Sequence, residues 1–192
     1  MLDTNARNYF DKFFLMCAKL LFSFNIKPLQ VTFLALFIGV IGALFIYFEF
    51  YILSFVFLWI SGFFDVLDGE LARLSNTQSQ KGALLDIFFD RIVEVSYIIA
   101  FVNVASTLSL LVLAVSIILS MTLFLSVGAM SSKNSKKEFY YQAGLIERTE
   151  GFILFSFMIL FQEYASYIAY LFAFLILLTV FQRLKEALKI LE

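Results

Sequence analysis

The chain contains no histidine, one cysteine and one proline in 192 residues. Without imidazole there is neither a histidine general base nor a histidine metal ligand. The lone Cys17 rules out an intramolecular disulfide and any cysteine-based zinc site. Acid–base or metal chemistry must therefore rest on carboxylates, and metals held by carboxylate oxygen alone are hard ones such as Mg²⁺, Mn²⁺ or Ca²⁺. Charge is scarce as well: 15% of residues are Asp, Glu, Lys or Arg, and the formal net charge is −1. No nucleic-acid partner is expected. Apolar surface is what the chain has in abundance, with 62% hydrophobic residues and 26 Phe. Ordinary soluble domains run about 45–50% apolar, so the expectation is an all-α integral membrane protein. The length suits one compact bundle, a single membrane domain over residues 1–192.

Residues 30–64 carry one charged group, Glu49. As a single helix they would be about 52 Å long against a hydrocarbon core of about 30 Å. Two spans with a turn near Glu49 are required. The same length limit divides 92–130 near 103–107 and 149–182 near 162–166. Six transmembrane helices result, at 29–48, 50–73, 81–103, 107–131, 146–163 and 165–188, forming a bundle over 28–192. All 14 Lys and Arg fall before the first span, around the second and fourth connections, or in the last half of the sixth span. Basic residues mark the cytoplasmic side, so both termini are expected there. In a bacterium the protein would be a multi-pass component of the cytoplasmic (inner) membrane.

Residues 1–27 precede the bundle. Within RNYFDKFFLMCAKLLFSF (7–24), Arg7, Asp11, Lys12 and Lys19 share about 140° of a helical wheel. Lys19 interrupts the apolar run and no small-residue cleavage site follows, which argues against a signal peptide. An N-terminal amphipathic juxtamembrane helix lying in the plane of the cytoplasmic leaflet fits the pattern.

Against this background DVLDGELARLSNTQSQKGALLDIFFD (65–90) places four aspartates in membrane-grade sequence. An intramembrane charge costs on the order of 3 kcal/mol, so such groups point to function. Asp65 and Asp68 are spaced i, i+3 at the end of the second span; Asp86 and Asp90 are spaced i, i+4 at the start of the third. Each pair shares a helix face. The short 74–81 connection makes the two helices antiparallel neighbours, so all four carboxylates are expected to converge near the cytoplasmic interface. Mutual repulsion disfavours four ionised carboxylates in one place. One or two divalent cations, Mg²⁺ or Mn²⁺ shared with substrate phosphates, would resolve it. Gly69, Ala72 and Gly82 thin the same faces, either for a ligand or for close helix packing. Arg73 and Lys81 flank the cavity, as phosphate partners or as snorkelling interface residues.

Asp65-x2-Asp68-Gly69-x2-Ala72-Arg73-x8-Gly82-x3-Asp86-x3-Asp90 resembles the signature of the CDP-alcohol phosphotransferases, with all eight fixed positions present. The resemblance implies six transmembrane helices behind a juxtamembrane helix, a homodimer, and two divalent metals bridged by aspartates over a CDP diphosphate. It implies metal ligation by Asp65, Asp68, Asp86 and Asp90, a catalytic base at Asp90, and CDP binding by Gly69, Ala72, Arg73 and Gly82. A hydroxyl would attack the phosphorus beside the lipid or alcohol and release CMP. KPLQVT (27–32) resembles the family's Pro-Asn-x-x-Thr segment, with Leu29 at the Asn position.

A second polar island, SKNSKKEFYYQAGLIERTEG (132–151), lies on the same side as the aspartates. Lys133, Lys136, Lys137 and Arg148 are candidates for an acceptor phosphate, the three lysines having positive-inside charge bias as their plainer explanation. Gly144-x2-Glu147-Arg148 resembles a segment of the branches that use phosphorylated polyols, with Glu150-Gly151 where a further Arg often follows. The expected donor is CDP-diacylglycerol, with inositol phosphate or glycerol phosphate as acceptor. A CDP-choline, CDP-ethanolamine or serine-type phosphotransferase is the alternative. Glu94, a turn beyond Asp90, would brace Arg91 or hydrogen-bond the acceptor. From another class, an ion-coupled transporter would need mid-membrane carboxylates and broken helices, whereas the aspartates sit at one interface and Pro28 precedes the first span.

Overall fold

The structure, a computed structural model, describes residues 2–131, 144–146 and 148–191. It consists of helices α1 (Leu2–Ser23), α2 (Pro28–Tyr47), α3 (Tyr51–Leu74), α4 (Gln80–Ala100), α5 (Thr107–Ser131), α6 (Arg148–Leu160) and α7 (Ala165–Leu191). Single 3₁₀ turns follow α4 and α6. No strand occurs among the described residues.

Local chemistry ends each helix. Pro28 opens α2, where its missing N–H costs nothing, and Gln30 Oε1 accepts from the Lys27 N–H at 2.9 Å. Glu49 adopts a left-handed φ of 63°, and the Phe50 N–H then donates back to the Phe45 carbonyl at 2.8 Å. That reversal stands where the span-length limit requires one. Asn76, at φ 51°, closes α3 in the same way. Ser79 caps α4 by accepting from the Gly82 N–H at 3.1 Å.

Four helices are long and apolar enough to cross a membrane: Pro28–Tyr47, Tyr51–Leu74, Thr107–Met130 and Gln162–Lys189. The other two elements of the expected six are helices at the expected places. However, α4 carries Asp86, Asp90, Arg91 and Glu94 within its length, and α6 has only 13 residues. The N-terminal segment is helical over Leu2–Ser23, with Lys12 and Lys19 exposed and Phe14, Cys17 and Leu21 packed towards Leu67 and Leu71 of α3.

α2 is the organising helix. Its buried face reads Val31, Thr32, Ala35, Gly39, Gly42, Ala43 and Ile46, a row of small residues that lets two partners approach closely. A Cβ added at Gly39 would stand 2.7 Å from Val93 of α4 and 2.8 Å from Ser61 Oγ of α3. Ser61 Oγ donates to the Ala35 carbonyl at 2.8 Å, and Tyr97 Oη to the Ser54 carbonyl at 3.3 Å. α5 packs on α7, and α6 bridges α3 and α7. α3 and α4 both lie against α2, and they meet each other chiefly through the side chains of Asp65, Asp68 and Asp86. The seam between α3 and α4 is polar, lined by Asp side chains with the small Gly69, Ala72 and Gly82 beside them. The main core lies away from that seam, around Tyr97, Phe101, Leu113, Met158 and Ile159. Val31, Leu67 and Leu71 form a smaller cluster behind the aspartates.

Candidate active site

Asp65 and Asp68 stand one turn apart on α3, only 9% and 6% exposed. Asp86 reaches them from the second turn of α4, and one oxygen from each of the three lies within 4.8 Å of the others. Asp68 Oδ2 and Asp86 Oδ1 are buried with no hydrogen-bond partner. Carboxylate oxygens left in that condition are costly. Three carboxylates converging, with no imidazole or thiolate beside them among the described residues, fit a hard divalent cation such as Mg²⁺ or Mn²⁺.

Asp90 is joined to this group differently. Arg148, the first residue of α6, donates from Nη2 to Asp90 Oδ1 at 2.6 Å, and its Nη1 pairs with Asp65 Oδ2. One guanidinium thus ties α6 to both α3 and α4, with Phe152 beneath it at 5.8 Å from ring centroid to Cζ. The fourfold convergence expected from the sequence is three carboxylates together, plus a fourth connected through an arginine.

Of the residues that the resemblance assigns to CDP, Gly69, Ala72 and Gly82 are half-buried and Arg73 is exposed. A Cβ at Gly69 would meet only the Arg73 guanidinium, at 3.7 Å, which is ordinary contact. No neighbouring helix requires glycine there, in contrast to Gly39, so helix packing does not explain Gly69. Arg73 is held by Glu70 at 2.6 Å, and Lys81 is exposed. Glu94 pairs with Arg91, as the bracing role requires. Lys133, Lys136, Lys137 and Glu147 lie outside the described residues.

Beyond Asp65 and Asp90 a cavity of about 350 Å³ opens between the α2–α3–α4 group and α5, α6 and α7. It reaches neither Asp68 nor Asp86. Asp90 and Arg148 stand in its wall, with Arg91, Glu94, Ser120 and Arg183 among the other polar groups. Arg183 escaped the sequence reading, where it counted only as one basic residue of a cytoplasmic helix end. It is 8% exposed, donates from Nη1 to Ser120 Oγ at 3.3 Å, and stands over Phe124. A signal was present: Arg183 shares a helix face with Thr179, Ile176 and Ala187, which is an inward face rather than an interfacial one.

The CDP-alcohol phosphatidyltransferase family model matches residues 25–181, a span that includes every motif position just described. The chain belongs to the CDP-alcohol phosphatidyltransferase family. This CDP-alcohol phosphatidyltransferase is accordingly a membrane transferase of phospholipid synthesis. It is similar to an uncharacterised protein of Aquifex aeolicus, 29% identical over 100% of this chain and 97% of that one. It is also similar to the inner membrane protein YnjF of Escherichia coli, 28% identical over 95% and 93%. Its fold matches the phosphatidylinositol phosphate synthase PgsA1 of Mycobacterium tuberculosis in two crystal structures, each 22% identical. With CDP-DAG bound the TM-score is 0.71, covering 92% of this chain and 94% of that one. In complex with manganese and citrate it is 0.73, covering 91% and 88%.

Proposed function

We propose that this transferase moves a phosphatidyl group from CDP-diacylglycerol to a polyol phosphate such as inositol phosphate or glycerol phosphate, releasing CMP. The observation that carries the reading is the cavity beside Asp90, walled by Arg148 and Arg183. Two guanidiniums suit a phosphate dianion, and Glu94, Ser61 and Ser120 in the same wall suit hydroxyls. A CDP-choline or serine-type acceptor brings no phosphate to a wall that carries two guanidiniums. The CDP-DAG in the similar synthase supports the donor, and its manganese supports the metal.

In this reading Asp65, Asp68 and Asp86, with Asp90, hold Mg²⁺ or Mn²⁺, two ions by the family's pattern. Bound there, divalent cations would neutralise the diphosphate and the leaving CMP. Gly69 and Gly82 let the nucleotide lie against α3 and α4 beside Ala72, and Arg73 swings from Glu70 to the diphosphate. From the cavity side the acceptor hydroxyl attacks the phosphorus next to the diacylglycerol. A new P–O bond forms, the bond to CMP breaks, and the hydroxyl proton passes to the Asp90 carboxylate. Arg148 and Arg183 orient the acceptor by its phosphate, with Lys133, Lys136 and Lys137 as further candidates.

Purified full-length protein, CDP-diacylglycerol and a panel of acceptors test this, with CMP release as readout. Inositol phosphate or glycerol phosphate should outperform serine and choline. Arg183→Ala should raise the apparent acceptor KM about tenfold or more, the worth of a charge-assisted hydrogen bond, and leave donor affinity near wild type. Preference for an unphosphorylated acceptor would overturn the assignment.

We also infer six membrane spans, a homodimer, and an in-plane α1, with the aspartate end and both termini in the cytoplasm of a bacterium's inner membrane. α4 and α6 then cross with their polar faces turned inward. In a Cys17→Ser background, cysteines at Gln78 (α3–α4 turn) and Glu163 (after α6) should label from opposite sides of sealed vesicles. Labelling from one side refutes six spans.

A further inference from the structure

Arg148 stands between two sets of groups that both call for its charge. Its guanidinium holds Asp65 and Asp90 together, and it also lines the cavity assigned above to the acceptor phosphate. Asp65 belongs at once to the three-carboxylate group suited to a divalent cation and to the Arg148 pair. The guanidinium takes Asp65 Oδ2, which leaves that carboxylate one oxygen free of it and draws charge away from any cation it holds.

We propose that Arg148 is a built-in counter-cation of the aspartate cluster, competing with the divalent metal for Asp65 and Asp90. The proposal rests on the metal reading given above. With no divalent cation present, the guanidinium neutralises two buried carboxylates that would otherwise repel each other and the nearby Asp68 and Asp86, and it pins α6 to α3 and α4. When the carboxylates take a divalent cation, Arg148 gives them up. Its fork of N–H donors then turns into the cavity, where Arg183 already stands. Cation binding and the assembly of the acceptor site become one event, which orders the acceptor after the metal. Phe152 beneath the guanidinium gives the planar group a surface to slide on without losing its contact.

Competition of this kind lowers apparent metal affinity by the fraction of molecules in which the carboxylates are taken, about tenfold if nine in ten are. Mn²⁺ titration calorimetry on the full-length protein, with thermal melting in chelator and in saturating Mn²⁺, tests the idea without any turnover. Arg148→Gln should bind Mn²⁺ about tenfold more tightly than wild type, melt lower in chelator, and regain most of the difference with Mn²⁺. Arg148→Lys keeps the charge but not the planar fork and should fall between. Arg183→Gln removes a charge from the same cavity that touches none of the four aspartates in the described contacts, and it should not tighten Mn²⁺ binding to that degree. Unchanged or weaker Mn²⁺ binding by Arg148→Gln overturns the proposal, as does an equal gain from Arg183→Gln. A wild type that binds no Mn²⁺ overturns the metal reading and this proposal together.

Discussion

Asp90→Asn is expected to lower CMP release by about 10²–10⁴, the usual loss for a general base, while donor binding survives in weakened form. Asp90 is the only one of the four motif aspartates outside the three-carboxylate group, and with Asp65 it is one of the two that wall the cavity. A group meant to take a proton from the acceptor has to stand there. Asn keeps the shape and one oxygen but cannot accept the proton, and Arg148 retains its contact with Asp65. The decisive pair of measurements is CMP-release rate and calorimetric affinity for the CDP donor in the presence of Mn²⁺. Near wild-type turnover would assign the proton to another group. Abolished donor binding with folding intact would make Asp90 chiefly a metal ligand.

Asp68→Asn should fail in the opposite manner. Asp68 Oδ2 is buried without a partner beside Asp65 and Asp86, so in the absence of a cation it is a buried charge among like charges. Neutralising it removes repulsion, and the variant is expected to melt at or above wild type in chelator. The same change deletes a ligand, so Mn²⁺ affinity and turnover should drop by about 100-fold or more, beyond what loss of an outer-shell partner costs. Stability rising while function collapses is the signature of a residue kept for a site rather than for the fold. A variant that melts well below wild type in chelator and still binds Mn²⁺ normally would place Asp68 in the scaffold.

Much of the architecture was legible because the bilayer acts as a ruler. Glu49 marks its turn since no uninterrupted helix of that length could fit the hydrocarbon, and the structure puts the left-handed residue there. The motif aspartates were legible because charge is so rare around them. Helix ends were less so: the third span, read to 103, ends as α-helix at Ala100 and continues as a 3₁₀ turn. The short connection brings α3 and α4 together at the aspartates, but it says nothing about the helix both pack against most closely. The small-residue stripe of α2 was the missing clue. Arg148's attachment to Asp90 crosses 58 residues of sequence, and its attachment to Asp65 crosses more. No local spacing encodes either pairing. Arg183 stands outside every motif, so charge bias alone accounts for it in the sequence, and only the fold turns it inward towards Ser120 and Phe124.

The distribution of the two apolar clusters gives the bundle unequal ends. Most of the fully buried large side chains, Tyr97, Phe101, Leu113, Met158 and Ile159 among them, belong to the larger cluster away from the aspartates. The other half is closed by Val31, Leu67 and Leu71 under the cover of α1. Cooperative opening is easiest where few apolar contacts must be broken. The molecule therefore has a stiffer half, where the larger cluster interlocks, and a more compliant half around the aspartates. If the donor is the CDP-diacylglycerol proposed above, its passage would draw on the compliant half alone, the part that α1 covers at Leu67 and Leu71.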